Sequence, residues 1–344
     1  MLNKLTVLLI YSNCVKNTVE LSMRDLTKQP INTLFLGTDW ESVETLDSLN
    51  KDPRFNIVGV ITTTDKPVGR KQILTPSKVK EYGLNNNIRV FHTEKNIDRY
   101  QEALDIFNPE LIVCKAFGEI VPEFFLEYPK YKAINVHFSI LPKYRGAVPI
   151  QKAILDGEKE TGISIMLMSA GMDEGDILKI YKEPILENDT NLTLRKRLVK
   201  KSAYILGDVL AQWINAEIKP TKQDSTKATY CWQKDISKES AEIKWDSMKP
   251  EYIERLVRAM VPWPIAWFTS VKNPKDYFNN KKIKLFETEL VSEISNFQPG
   301  TIYVKNNRVL VSTKEKDKAI RILKLQVEGK KETDEISFLN GFLR

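Results

Sequence analysis

The chain carries two histidines, His92 and His137, and His137 sits where a histidine could do chemistry. It follows directly on Ala133–Val136, an apolar run of strand length, at the kind of strand end where open α/β sheets place their sites. In Asn135-Val136-His137, alternation along a strand puts Asn135 and His137 on one face and Val136 on the other. An amide donor beside an imidazole can hold a developing oxyanion and move a proton. The next residues, Ser139 to Gly146, read SILPKYRG, a polar turn containing Pro142, Arg145 and Gly146. Further on, Gly171-Met172-Asp173-Glu174-Gly175-Asp176 makes an acidic, glycine-bracketed loop. A carboxylate there could orient the imidazole or raise its pKa. Taken singly, each motif also reads as ordinary structure, since strand-end histidines are common and Asp and Gly favour turns.

The elements that must position these residues are legible from periodicity. Strand-length apolar runs occur at Thr33–Leu36, Ile57–Ile61, Leu111–Cys114 and Ala133–Val136, with two more at Ile163–Met168 and Ile177–Ile180. Segments of helical spacing, Val43–Leu49 and Ile97–Phe107, lie between them, and a long amphipathic helix is expected from Thr190 to Trp213. Continuous apolar strands alternating with helices predict an α/β fold: a Rossmann-like, mostly parallel sheet covered on both faces. The first strand runs into Gly37-Thr38 without a GxGxxG, so the fold gives no licence for a dinucleotide. Short strands at Ala266–Ser270, Ile283–Phe286, Thr301–Val304, Val309–Ser312 and Ile320–Leu325, separated by turn residues, predict a small OB-like β-barrel as a second domain. The expected division is an extension over 1–30, disordered or mis-started with Met23 as the true start, then a catalytic domain over 31–217. A linker over 218–235 and a C-terminal domain over 236–344 complete it.

Composition narrows the function classes. The chain has 42% hydrophobic and 28% charged residues, as expected for a water-soluble globular protein, and no apolar window long enough to span a membrane. Its three cysteines, Cys14, Cys114 and Cys231, have no metal-ligand spacing and no disulfide pattern, so no metal is expected. The expected location is a bacterial-type cytoplasm, or an organellar matrix if the first 30 residues are a transit peptide. From Lys219 onward 24 Lys and Arg stand against 17 Asp and Glu, while the first 218 residues hold 28 of each. The whole net charge of +7 therefore lies in the last third. A basic surface draws polyanions by counterion release, and a solvated lysine-rich face is the plain alternative.

NVHFSILPKYRGAVPIQ (Asn135 to Gln151) and TGISIMLMSAGMDEGDIL (Thr161 to Leu178) closely resemble the core of the 10-formyltetrahydrofolate-dependent formyltransferases. The resemblance implies Asn135, His137 and Asp173 as catalytic residues. It implies a folate site formed by Phe117, Gly118 and Ile120 with Ser139, Ile140, Leu141, Pro142 and Gly146. TTTDKPVGRKQILTPSKVK (Thr62 to Lys80) is similar to a loop that the tRNA-directed branch sets against the acceptor end. ISKESAEIKW, RAMVPWPIAWF and LQVEGKKETDEISFLNGF are similar to that branch's second domain. What this implies is 10-formyltetrahydrofolate as formyl donor and initiator methionyl-tRNA as partner, bound through Arg70, Lys71, Lys281, Lys282 and Lys284 by a monomer. A sugar-amine formyltransferase, a formyl-folate hydrolase and an inactive RNA-binding protein are the alternatives. The chain departs from the pattern at Phe138, where Gly is usual, at Asp39-Trp40-Glu41, at Lys71 and at Ser169. The bulk of Phe138 could narrow the site or shift the histidine; the expectation is that the backbone has adapted to it, since the rest of the site is kept.

Overall fold

A computed structural model of the chain describes residues 25–69, 71–270, 278 and 280–342. The first domain alternates strands with helices. In chain order these are β1 (Ile31–Gly37), α1 (Trp40–Asn50), β2 (Phe55–Ile61), the hairpin β3 (Lys66–Val68) and β4 (Ile73–Thr75), α2 (Lys78–Asn85), β5 (Val90–Phe91) and α3 (Ile97–Phe107). There follow β6 (Leu111–Lys115), α4 (Glu123–Glu127), β7 (Ala133–His137), β8 (Arg145–Gly146), α5 (Pro149–Asp156), β9 (Glu160–Leu167), β10 (Ile177–Pro184) and α6 (Asn191–Ile214). The main sheet has the order β10-β9-β7-β6-β1-β2-β5. Neighbours from β5 to β7 run parallel, while β9 is antiparallel to β7 and to β10.

Every residue of β6 is buried, which is why that strand reads as unbroken apolar sequence up to Lys115. One face of the sheet packs on α1 and α6 through Leu46, Leu49, Leu198 and Leu206, the other on α3 through Tyr100, Leu104 and Phe107. Thr190 starts α6 by accepting the Thr193 N–H, as its place before the apolar periodicity predicts.

The linker carries β11 (Tyr230–Cys231), and the second domain contains α7 (Pro250–Met260), β12 (Ala266–Thr269), β13 (Lys282–Ser292), β14 (Ile302–Lys305), β15 (Arg308–Ser312), β16 (Lys318–Val327), β17 (Glu332–Asp334) and α8 (Glu335–Phe342). Its antiparallel sheet runs β12-β13-β16-β15-β14, with β17 also paired to β16. The domain is β-rich as expected, and α7 is the addition. Pro250 sits in the first turn of α7, and Ile253, Leu256, Val257 and Met260 bury one face. Burial of such side chains is worth about 1.5–3 kcal/mol each before entropic cost. The helix packs on α5 as well as on its own sheet, so one apolar core runs through both domains.

Two expected boundaries need correction. Residues 1–24, with Met23, lie outside the described residues, but Leu26 is buried in the core, so the expected extension 1–30 is partly built into the fold. Residues 218–235 are not a passive connector. Thr221 pairs with Ile177 at the end of the main sheet, Gln223 and Cys231 are buried, and β11 pairs with β8.

Candidate active site

β7 delivers Asn135 half-buried and His137 buried at one end of the sheet, and Val136 faces the core. Asp173 comes from the loop between β9 and β10, with φ of +51°. Its carboxylate joins three segments. Oδ1 accepts from Asn135 Nδ2 at 3.2 Å, Oδ2 accepts the Gly146 N–H at 2.8 Å, and Oδ2 lies 3.5 Å from His137 Nδ1. His137 Nε2 is 2.8 Å from the Tyr144 carbonyl. A carbonyl only accepts, so Nε2 carries the hydrogen and neutral His137 turns its Nδ1 lone pair toward Asp173. Burial holds the His137 pKa below its ordinary value, against the pull of the Asp173 charge.

The linker fixes both loops. Arg145 is 1% exposed, and its Nε and Nη2 donate to Gln223 Oε1 at 3.1 and 2.9 Å. The other end of the Gln223 amide donates to the carbonyls of Asp173 at 2.8 Å and Gly175 at 2.7 Å. Thr229 accepts the Tyr144 N–H on its hydroxyl, and Cys231 accepts the Ala147 N–H on its carbonyl. Gly146 is required here: with φ of +115°, a Cβ would lie 2.3 Å from the Cys231 oxygen. Gln223 escapes a search for chemical motifs because its partners are far away in sequence. Flanked by Lys222 and Asp224, it reads as part of a solvated linker.

Phe138 does not narrow the site. Alternation turns its ring away from His137 into the core beside Val136, where it is 3% exposed. Lys115 Nζ stands 3.2 Å from the ring centroid and donates to the Val136 carbonyl at 3.1 Å. Glu41 neutralises it at 3.6 Å and also pairs with Arg195. The departures at Glu41 and Phe138 are thus one packed unit around a buried ammonium. Burial pushes Lys115 down to about 8. Burial opposes the charged form of Glu41, yet Lys115 and Arg195 together hold it below its usual value. Burial and the neighbouring Glu41 charge push Asp39 up. A lysine closing an otherwise apolar strand was the sequence signal for this unit.

The other expected site residues scatter. Gly118 and Ile120 are exposed by the site, with Phe117 buried beneath. Ser139 and Leu141 are buried, and Ser139 Oγ donates to the Lys143 carbonyl. Pro142 is half-buried, and Ile140 lines a separate cavity of about 180 Å³ with Tyr144, Glu158 and Thr161. His92 is structural, with Nδ1 2.8 Å from the Thr62 carbonyl. Arg70 lies outside the described residues; Lys71 is exposed between β3 and β4. Lys281 and Lys282 are exposed and Lys284 half-buried, and Lys282 Nζ sits 3.6 Å over the Trp267 ring. Trp263 is half exposed. Among the described residues no cluster of three His, Cys, Asp or Glu could hold a metal, and no helix is long and apolar enough to cross a membrane.

Residues 31–210 match the formyl transferase family, and residues 235–343 match the formyl transferase C-terminal domain. The methionyl-tRNA formyltransferase of Caldicellulosiruptor saccharolyticus is 40% identical over 91% of this chain and 97% of its own length. The one from Halalkalibacterium halodurans is 39% identical over 90% and 94%. The chain belongs to the methionyl-tRNA formyltransferase family. Solved structures extend the likeness of fold. An N-formyltransferase from Helicobacter canadensis, solved with folinic acid and dTDP-3-aminofucose, aligns with a TM-score of 0.61, 23% identity and coverage of 85% of this chain and 99% of that one. HypX from Aquifex aeolicus, solved with tetrahydrofolic acid, aligns with a TM-score of 0.59 and 16% identity over 91% of this chain and 48% of that one.

Proposed function

We propose that this family member transfers the formyl group of 10-formyltetrahydrofolate to the α-amino group of methionine carried by initiator tRNA. It does so as a monomer in a bacterial-type cytoplasm, with its catalytic domain over 31–217. The observation that carries the reading is the junction of Asn135, His137 and Asp173 in a chain that matches methionyl-tRNA formyltransferases along nearly its whole length. The folate donor supplies a formyl group on nitrogen. Open space around Gly118, where an added Cβ would meet nothing within 4 Å, and the 94% exposed side chain of Ile120 fit a flat heteroaromatic ligand at the strand edge.

The residues divide the work. Asn135 gives one amide hydrogen to Asp173 and has the second free for the oxygen that gains charge as the amine attacks. His137 has its Nε2 hydrogen committed to Tyr144, so it receives the proton of the attacking amine at Nδ1. Asp173 stabilises the resulting imidazolium, and His137 returns the proton to the departing nitrogen. This refines the sequence reading: Asn135 is the oxyanion donor, and His137 adds to that role only once Nδ1 is protonated. The basic excess after residue 218, with Arg70, Lys71, Lys281, Lys282 and Lys284, holds the phosphates. Folate-dependent transfer measured side by side on methionyl initiator tRNA and on a nucleotide-linked amino sugar tests the reading. Transfer to the sugar with none to the tRNA overturns it.

A further inference from the structure

Beside the Asp173 loop the linker presents two aromatic rings to solvent. Tyr230 is 41% and Trp232 42% exposed, and their rings stack with centroids 5.7 Å apart and planes within 4°. The two residues are separated by one position, so an extended backbone projects both to the same side. The inner ring is anchored. The Tyr230 hydroxyl donates to Glu174 Oε1 at 3.2 Å and accepts from Arg145 Nη1 at 3.3 Å, and Arg145 is itself clasped by Gln223. Trp232 is bound to its neighbours through its backbone, whose N–H donates to Asp235 Oδ2 at 2.7 Å. The stack is therefore anchored at Tyr230, with the indole lying parallel to its ring and open to solvent.

We propose that this platform seats the 3′-terminal adenine of the aminoacylated RNA, with the base lying on the outer face of Trp232. The inference rests on the reading that the amine is carried by tRNA. Methionine is esterified to the terminal ribose, so the adenine on that ribose must come to rest within one nucleoside's length of the reacting amine. Glu174, which holds Tyr230, is the residue next to Asp173 in the chain. A flat ring stacks on any base and needs no hydrogen-bond code, and a pre-ordered ring loses little entropy on doing so. Lys234, two residues beyond Trp232, is exposed and enters no ion pair among the described residues, so it can meet the 5′ phosphate of the terminal nucleotide. The pterin of the folate is the rival occupant. It requires partners for its polar edge, and the one hydroxyl of the stack is already committed to Glu174 and Arg145.

The test is steady-state kinetics of the full chain with methionyl initiator tRNA and 10-formyltetrahydrofolate. Trp232→Ala is expected to raise KM for the tRNA about 5- to 150-fold, the range for loss of one base–aromatic stack. The turnover number and KM for the folate should stay unchanged, and Trp232→Phe should restore most of the loss. The salt dependence of tRNA binding should keep its slope, because the indole neutralises no phosphate. As a minimal acceptor, 3′-O-methionyl-adenosine should outperform methionine methyl ester with the wild type and lose that advantage in Trp232→Ala. If Trp232→Ala proves unstable, Trp232→Leu keeps apolar bulk without the flat face and makes the same test. An unchanged KM for tRNA, or a rise in KM for the folate instead, overturns the proposal. A wild-type enzyme that does not formylate tRNA at all overturns the reading beneath it, and the two failures are distinct.

Discussion

Replacing Phe138 by glycine separates an adapted site from an obstructed one. The ring is buried in the core, faces away from His137, and carries the Lys115 ammonium on its face. Removing a buried phenylalanine side chain down to Cβ costs about 3–5 kcal/mol. Going on to glycine adds about 0.5–1 kcal/mol of chain entropy. Loss of a desolvated cation–π interaction is worth about 2 kcal/mol, of which water entering the cavity restores part by solvating the ammonium. The total for Phe138→Gly is about 4–8 kcal/mol, a large share of the roughly 5–15 kcal/mol that holds a typical protein folded. Phe138→Leu keeps most of the volume and should lose about 1–3 kcal/mol. Urea unfolding followed by tryptophan fluorescence gives the stabilities, and initial rates of formyl transfer below both transitions give the activities. A Phe138→Gly protein as stable as the wild type and faster would refute the packing argument.

Four further outcomes are expected. His137→Ala, Asn135→Ala and Asp173→Ala should each lower turnover at least about 10²-fold in a folded protein, and near-normal turnover in His137→Ala would remove the imidazole from the mechanism. Gln223→Glu keeps the acceptor for Arg145 but loses both donors to the Asp173 and Gly175 carbonyls; it should reduce kcat while leaving KM for the folate near normal, whereas a general loss of fold without a kinetic effect at lower temperature would make Gln223 merely structural. Because burial holds the His137 pKa below its unfolded value near 6.5, the unfolded state binds more protons between the two values. Stability from this group is complete above about pH 6.5 and declines as pH falls toward the folded pKa, and kcat/KM should keep its neutral-pH level until the same lower value; unfolding midpoints and rate profiles from pH 5 to 8 show whether either declines earlier. Lys281→Glu with Lys282→Glu should weaken tRNA binding and flatten its dependence on salt by roughly 0.7–0.9 log unit per log unit for each phosphate no longer neutralised, and an unchanged slope would take these lysines out of the interface.

Local chemistry was legible in the sequence wherever it was contiguous. The strand ending in Asn135-Val136-His137, its alternation, and the Asp173 loop all appear where the pattern put them. Phe138 left obstruction and adaptation both open in the sequence, and its buried ring, packed in the core, favours adaptation, the reading expected of it. The same alternation that pairs Asn135 with His137 sends residue 138 to the opposite face, and that rule applied one residue further gives the right answer. The Glu41–Lys115–Arg195 set was signalled only by a lysine closing an apolar strand: its members are brought together by sheet order, and no local pattern encodes charge neutralisation across α1, β6 and α6. Helix α7 was hidden by its setting. Its apolar positions are spaced for a helix, but a run of short strands around it favoured a wholly β domain. The linker was read from composition, and lysines on its exposed side concealed the buried Gln223 and Cys231.

The pairing of β8 with β11 has a consequence for synthesis of the protein. Tyr144, whose carbonyl holds His137, is itself held by Thr229, 85 residues later in the chain. At a translation rate of about 5–20 residues per second, that interval occupies about 4–17 s. During it the parallel sheet can emerge and collapse while the histidine loop and the carboxylate loop still lack their clasp. A nascent first domain is therefore a sheet without a finished reaction centre, and the enzyme acquires its chemistry only as the linker leaves the ribosome.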